Sequence, residues 1–503
     1  MKIGSPFRVF LLSFVTALLA VSCQAQSLKQ IAYIKPSNSR EGLQFGSGGT
    51  LLGDSVGLSS DGNTLAVGAP METSAAKGIN GDQADESAYD AGAVYVFTRN
   101  GNTWKQQAYI KASNTRHSSN FGYIVRLSGD GNTMAVSAYL ESSSATGING
   151  NQNDESIPQA GAVYVFVRRD ATWTQQAYIK ASNTGEAGKG DDIGDGDQFG
   201  FSLSLSNDGN TLAAGAIAED SAGQNQNDNS LQSAGAVYVF NRSGSAWSQQ
   251  AYVKPSNPGA GDLFGYSVSL TADGNMLAVG SFDEDGPDDK SNGTGAVYVY
   301  SRNGTAWTEQ GYLRASNAEP GDSLGVSVAI SLDGNTIVSG ALDEDCLCTG
   351  VNPRDPQGKL AGTNDRASDT SAGAVYVFIR NGPMWTEQAY IKASNTGKED
   401  WFGSRLALSG DGNTIVAGSQ LKDSAAGAVY VFIRTGTAWT QQNYVKGSNT
   451  EAFDEFGSSI SLSRDGRLIA VGARSEASAA KGVNGNQMDN SAREAGAVYL
   501  FGY

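Results

Sequence analysis

Histidine occurs once in the 503 residues and cysteine three times, so chemistry built on imidazole or thiolate clusters has almost nothing to work with. The one histidine, His117, stands by itself in its repeat, and a lone exposed histidine is incidental. Cys346 and Cys348 form a C-x-C inside one long loop, where zinc would need two more ligands. A strained local disulfide of an oxidising compartment fits them better. Positive charge is also scarce, with 35 Lys and Arg against 51 Asp and Glu and a net charge of −16. A nucleic-acid partner needs a basic footprint, and an anionic membrane surface would repel this chain. Otherwise acidity confers solubility.

Long apolar runs are missing too, except residues 9–20, which are too few to span a bilayer stably. Preceded by Lys2 and Arg8, they read as the core of a targeting segment over residues 1–25. Ala20-Val21-Ser22-Cys23 resembles a bacterial lipobox, in which Cys23 is lipidated and becomes the N-terminus. The rival is secretory cleavage after Ala25. Both routes export the protein, either as an outer-membrane or cell-surface lipoprotein or in secreted form. Membrane contact is then expected only through the lipid anchor.

Glycine, by contrast, is abundant, at 64 residues, and much of it recurs in one phrase. Near-copies of Gly-Ala-Val-Tyr-Val-Phe start at Gly92, Gly161, Gly235, Gly295, Gly373, Gly427 and Gly496. Repeats of this length holding several strand-like segments signal a propeller. In the fourth repeat, residues 264–270 alternate in a period of two, Asp273-Gly274 marks a tight hairpin, and residues 276–280 return. Gly295 opens a third strand, Asn303-Gly304 turns again, and residues 307–314 form a fourth. The Asp-Gly turn lies nine residues after an opening Phe or Leu in each repeat, from Phe121 to Asp130, for example. In the first repeat this count selects Leu52-Gly53 rather than the conspicuous Phe45-Gly46.

The seventh repeat stops at Tyr503 without its fourth strand. The missing strand stands at the other end, where Leu28-Lys29-Gln30-Ile31-Ala32-Tyr33-Ile34-Lys35 matches Trp104-Lys105-Gln106-Gln107-Ala108-Tyr109-Ile110-Lys111. Residues 27–503 are therefore expected to form one all-β, seven-bladed propeller of four-stranded antiparallel blades, closed by the N-terminal strand. Aromatic residues repeating once per blade are read as packing between blades rather than sugar-stacking platforms.

Length varies after the second and fourth strands, whose loops emerge on the same side. The separation from Asp-Gly aspartate to the third-strand tyrosine runs from 19 residues in blade six to 43 in blade five. That face is the expected binding surface, because variable loops on a rigid scaffold carry function. Its loops repeat one phrase, at 78–83, 147–152, 223–228 and 482–487, in which Asn and Asp satisfy local turns or are stiffened by a cation. Asp191-Asp192-Ile193-Gly194-Asp195-Gly196-Asp197 is the candidate calcium site, with Asp192, Asp195 and Asp197 as ligands, although its spacing does not fit an EF-hand loop and a solvated acidic loop is the rival reading. An aspartate two residues before the opening motif recurs at Asp197, Asp262, Asp322, Asp400 and Asp454, which fits a tie for the interblade turn.

The phrase Phe-Gly-x-Ser-Val-x-Leu-Ser-x-Asp-Gly-Asn-Thr-Leu-Ala-Val-Gly-Ala resembles the bacterial FG-GAP repeat family, akin to the integrin α-chain propeller. The resemblance implies a seven-bladed propeller and adhesion or protein binding at the cell surface. Integrin propellers hold calcium in the first hairpin through several carboxylates. Here that hairpin reads Leu205-Ser206-Asn207-Asp208-Gly209-Asn210-Thr211 with one carboxylate, so calcium would have to bind elsewhere. Catalysis would require one blade to break the repeat with convergent acid, base or nucleophile groups. The expectation is therefore a non-catalytic binding or adhesion module for an extracellular or envelope protein or glycan. A propeller hydrolase of sialidase or lactonase type, or an envelope scaffold, is the alternative.

Overall fold

The computed structural model describes residues 27–47, 53–185, 196–286, 293–362 and 370–503. They form seven antiparallel sheets arranged as blades around a central channel, and Lys422–Ala425 makes a single tight turn whose last three residues are left-handed. Blade four is representative, with strands Ser267–Leu270, Met276–Ser281, Ala296–Asn303 and Ala306–Leu313 in that order outward. Blade five gains a short outer fifth strand, Gly350–Val351.

Alternation builds the core. In the third strand of blade one, Val94 and Val96 point toward blade two and pack with Val125, Met134 and Tyr164. Tyr95 and Phe97 point the other way, onto Leu468, Val498 and Leu500 of blade seven. The same period repeats in every blade, so each hydrophobic cluster belongs to an interface. The recurrent aromatics are consumed there: Tyr95, Tyr164, Tyr238, Tyr298, Tyr376 and Tyr430 are fully buried. A bulge recurs between third and fourth strands, at Val96/Phe97 for instance. The extra residue, Gln107, reaches the next blade and accepts the Trp173 indole N–H at 3.0 Å. Gln176, Gln250 and Gln388 do the same for Trp247, Trp307 and Trp439.

The ring closes as the sequence implies. Strand Lys29–Ile34 pairs antiparallel with Ala497–Gly502, placing Tyr33 opposite Tyr499. Ile31 stands in the bulge position where other blades carry glutamine, and the Trp104 indole N–H is left buried without an acceptor.

One expectation is corrected. The opening motif of blade one is Phe45-Gly46, not Leu52-Gly53. Phe45 N–H donates to Ala495 O at 3.0 Å, just as Phe121 N–H donates to Ala91 O. Its ring meets Tyr95 and Phe97, as Phe121 meets Tyr164 and Phe166. The count of nine failed because blade one carries seven extra residues between Phe-Gly and strand Val56–Leu58, not before the motif.

Candidate functional site

The loops after second and fourth strands stand on a ring of buried polar clasps. In all seven blades the third-strand tyrosine donates its hydroxyl to an asparagine of the preceding interblade loop. The pairs are Tyr95–Asn38, Tyr164–Asn114, Tyr238–Asn183, Tyr298–Asn257, Tyr376–Asn317, Tyr430–Asn395 and Tyr499–Asn449, at 2.5–2.9 Å. Beside it, a glutamate at the root of the second loop meets the lysine ending the fourth strand. Glu72–Lys111, Glu141–Lys180, Glu219–Lys254 and Glu476–Lys35 lie at 2.7–3.0 Å, and Glu344–Lys392 forms the same pair. All five pairs are at most 1% exposed. Burial pulls Lys111, Lys180, Lys254 and Lys35 down from the ordinary lysine range, opposed in each case by the paired glutamate. Sequence reading passed over these pairs. The signal was present, as a glutamate four residues after the second-strand Gly or Ser and a lysine two after the fourth-strand tyrosine.

Blade four replaces the lysine with Arg314, and blade six departs further. Lys422 stands where the glutamate belongs and pairs with Asp400 at 2.8 Å. Asp423, Ser424 and Ala425 follow in the left-handed region, at φ 56°, 61° and 59°, where non-glycine residues are strained. This shortest loop leaves Tyr444 at 42% exposure.

The repeated Asn phrase is also explained locally. Asn80, Asn149 and Asn484 sit at φ near 55° and lock onto the fourth-strand tyrosine of their blade. Each donates its N–H to that tyrosine's carbonyl at 2.7 Å and accepts the tyrosine N–H on its side-chain oxygen. Asn352 of blade five does the same, inside a loop whose length hid the phrase Gly350-Val351-Asn352. Ser–Gln hydrogen bonds, Ser37–Gln83 and Ser113–Gln152 among them, then tie neighbouring loops together. The loop bases are therefore fixed before any ligand arrives.

Of the proposed calcium ligands, Asp192 and Asp195 lie outside the described residues, as does Cys23 with the whole targeting segment. Asp197 is buried, accepts the Gly185 N–H at 3.1 Å, and borders a polar cleft of about 280 Å³ with Glu219 and Asp220. Burial, then the nearby Glu219, pushes its carboxyl up to about 8. Asp262, Asp322, Asp400 and Asp454 likewise accept backbone N–H groups three residues upstream, at 2.5–2.7 Å. These aspartates tie the interblade turn.

Asp454 yields a pH prediction. Burial, partly offset by the Glu451 N–H, raises it to about 6. An acid whose folded value is raised stabilises the fold fully below its unfolded value of about 4 and less as pH climbs through 6. Asp454→Asn is expected to raise stability at pH 7 by on the order of 2 kcal/mol, with no gain at pH 4. Urea midpoints at the two pH values check it; a gain equal at both would point away from titration.

The opposite face is uniform. Each Asp-Gly turn closes on itself: Asp61 accepts from Ser59 Oγ, Asn63 N–H and Asn63 Nδ2, and blades two to six repeat this arrangement, with Thr271 for the serine in blade four, while in blade seven Asp465 accepts from Ser463 Oγ and the Arg467 N–H. Its carboxylate is thus engaged within its own hairpin. Away from that face, Cys346 and Cys348 are joined as a disulfide, and His117 lies exposed against the ring of Tyr89. The acidic run of blade five is structural where it is described: Glu344 is the clasp carboxylate, and Asp345 accepts the Thr370 and Ser371 N–H groups.

The FG-GAP repeat family matches residues 104–166, 247–300, 385–432 and 439–501. The chain is an FG-GAP repeat protein. Its Phe-Gly is the step where one blade enters the next, as Phe121 opposite Gly92 shows, and its Gly-Ala ends the second strand just before the clasp glutamate. No curated protein matches the sequence. Two crystal structures resemble the FG-GAP ring in shape, both of proteins described as putative 6-phosphogluconolactonases. That from Bacteroides uniformis ATCC 8492 has TM-score 0.47 and 11% identity, over 78% of this chain and 84% of that one. That from Bacteroides fragilis NCTC 9343 has TM-score 0.45 and 11% identity, over 77% and 83%.

Proposed function

We propose that this FG-GAP propeller is a non-catalytic, exported binding module whose variable loops meet an extracellular or envelope protein or glycan. One observation supports it above others. Lys29 pairs with Gly502 at the end of the ring that carries the constant turns, so both ends of the propeller leave from that face. A chain tethered through Cys23 would therefore direct its variable loops away from the membrane. Those loops also carry large exposed apolar side chains, Tyr89, Leu347, Phe453 and Met488, of the kind that anchor interfaces.

The test exchanges loops between blades. Residues 346–369 of blade five are replaced by the short 423–425 connection of blade six, which leaves the Glu344 clasp and Asp345 in place, and Asp273→Ala is made on the constant face as a control. Binding of the immobilised chain to defined envelope proteins and glycans is then measured. The loop exchange is expected to cut affinity at least about tenfold, the loss of one hot spot, with the control unchanged. The reverse pattern in folded variants overturns the reading.

A further inference from the structure

Four blades cover the outer edge of their fourth strand with a piece of their own loop. In blade one Ile79 bridges to Ile110, and blades two and seven repeat this with Ile148 on Ile179 and Val483 on Ile34. In blade five the piece is the strand Gly350–Val351, opposite Lys392 and Ile391. In blade one Asn80 N–H donates to Tyr109 O at 2.7 Å, and Tyr109 N–H donates to the Asn80 side-chain oxygen at 3.0 Å. Lys111 N–H then donates to Gly78 O at 2.8 Å. The β-branched residue before the asparagine packs into the seam toward the next blade, as Ile79, Ile148, Val351 and Val483 all do. Under this cover Tyr33, Tyr109, Tyr178 and Tyr390 are 0% exposed, and so are Ile34, Ile110, Ile179 and Ile391 after them.

Blade six has no such cover. Its fourth strand keeps the same register, with Tyr430 opposite Tyr444 as Tyr95 is opposite Tyr109. The Tyr444 N–H and C=O and the Lys446 N–H therefore point outward from the edge. Among the described residues nothing bonds to these groups. Tyr444 is 42% exposed and Val445 is 9% exposed. Blades three and four are intermediate, with Tyr252 and Tyr312 partly buried and Val253 and Leu313 at 4% and 6%. In blade six the loop that would reach the edge is cut to the left-handed run Asp423–Ala425, and Asp423 accepts the Tyr444 hydroxyl at 3.1 Å. Three consecutive strained residues hold that loop short, and strain of this kind gathers where function needs the shape. An unpaired edge is a template for another strand.

We propose that the outer edge of blade six takes up an extended segment of a partner protein, in which a β-branched residue precedes an asparagine. The covered blades are the template for that segment. Its asparagine closes on Tyr444 as Asn80 closes on Tyr109, and the carbonyl two residues earlier receives the Lys446 N–H. Its β-branched side chain covers Val445. Strand addition takes affinity from main-chain bonds and selectivity from the side chains that find pockets. A second copy of this chain is a poorer source, because its Ile-Asn and Val-Asn pairs are already seated on their own edges. The site lies on the rim of the ring and does not depend on the blade-five loop.

A labelled octapeptide with the sequence of residues 76–83, Ala-Lys-Gly-Ile-Asn-Gly-Asp-Gln, tests it by fluorescence anisotropy against the purified chain. One saturable site is expected. The same peptide methylated on the asparagine main-chain nitrogen should not bind, because its donor to Tyr444 O is gone. Alanine in place of the asparagine should weaken binding about fivefold, the worth of one ordinary hydrogen bond. In the chain, Tyr444→Pro removes an outward N–H at an edge position, where proline is tolerated, and should weaken binding by at least that factor. The blade-five loop exchange should leave peptide binding intact; its loss there places the peptide on that loop and overturns the edge assignment. No saturable binding, equal affinity of the methylated peptide, or equal affinity of a folded Tyr444→Pro chain also overturns the proposal. If Tyr444→Pro does not fold, the methylated peptide decides alone.

Discussion

Replacing Glu476 by alanine is expected to destabilise the ring by about 3–5 kcal/mol, the cost of leaving a buried charge unpaired. Its carboxylate accepts from Lys35 Nζ at 2.9 Å, the Tyr33 hydroxyl at 2.8 Å, Asn449 Nδ2 at 2.9 Å and the Ser478 N–H at 3.2 Å. Those donors come from the N-terminal strand, the interblade loop and the glutamate's own loop, so one side chain joins three segments at the closure. Lys35 and Glu476 are 0% and 1% exposed, which denies the orphaned ammonium any water. The double variant Lys35→Met, Glu476→Leu should recover most of the loss, because removing both charges also removes both desolvation penalties. Lys446→Ala, at a pair with 28% and 53% exposure, should cost less than about 1 kcal/mol. Denaturant midpoints of the three variants decide. If the single and double variants at the closure coincide, the buried pair does not hold the ring as described.

The second large effect is steric. In Gly92→Ala the new Cβ would lie 2.0 Å from Phe121 O and 2.5 Å from Phe121 N, both backbone atoms of the next blade. The residue also sits at φ 81°, where a side chain is strained. Neither blade can yield without disturbing the shared core, so a loss above about 3 kcal/mol is expected, in the range of severe core overpacking. Gly436→Ala separates the two causes. It has φ 63° but nothing within 4 Å of the added carbon, and it should cost only about 1–2 kcal/mol. Equal losses in thermal unfolding would mean that backbone conformation, not blade contact, governs Gly92.

Much of the ring was legible because its rules are local. Alternation marks the strands, an Asp-Gly turn marks the first hairpin of each blade, and the truncated last repeat announces the strand at Lys29–Ile34. Counting failed at Phe45, where an insertion after the motif mimics one before it. The clasps were hidden for a different reason. Glu72 and Lys111 are 39 residues apart, and a charge recurring once per blade reads as surface until the fold shows it buried. The left-handed run at Asp423–Ala425 has no signature in residue type at all.

The closing strand also determines how the molecule bears force. Strand Lys29–Ile34 runs from the constant face toward the loops, beside Ala497–Gly502. If a partner grips the loops while the N-terminal side is held, tension acts along this strand. It would then have to slide past its neighbour, loading the pairs from Lys29–Gly502 to Ile34–Val498 together with the Lys35–Glu476 bond. Such shear strains every link at once, whereas peeling breaks them one by one. The seam that looks weakest in the chain is thus oriented to resist the pull that anchored binding would impose.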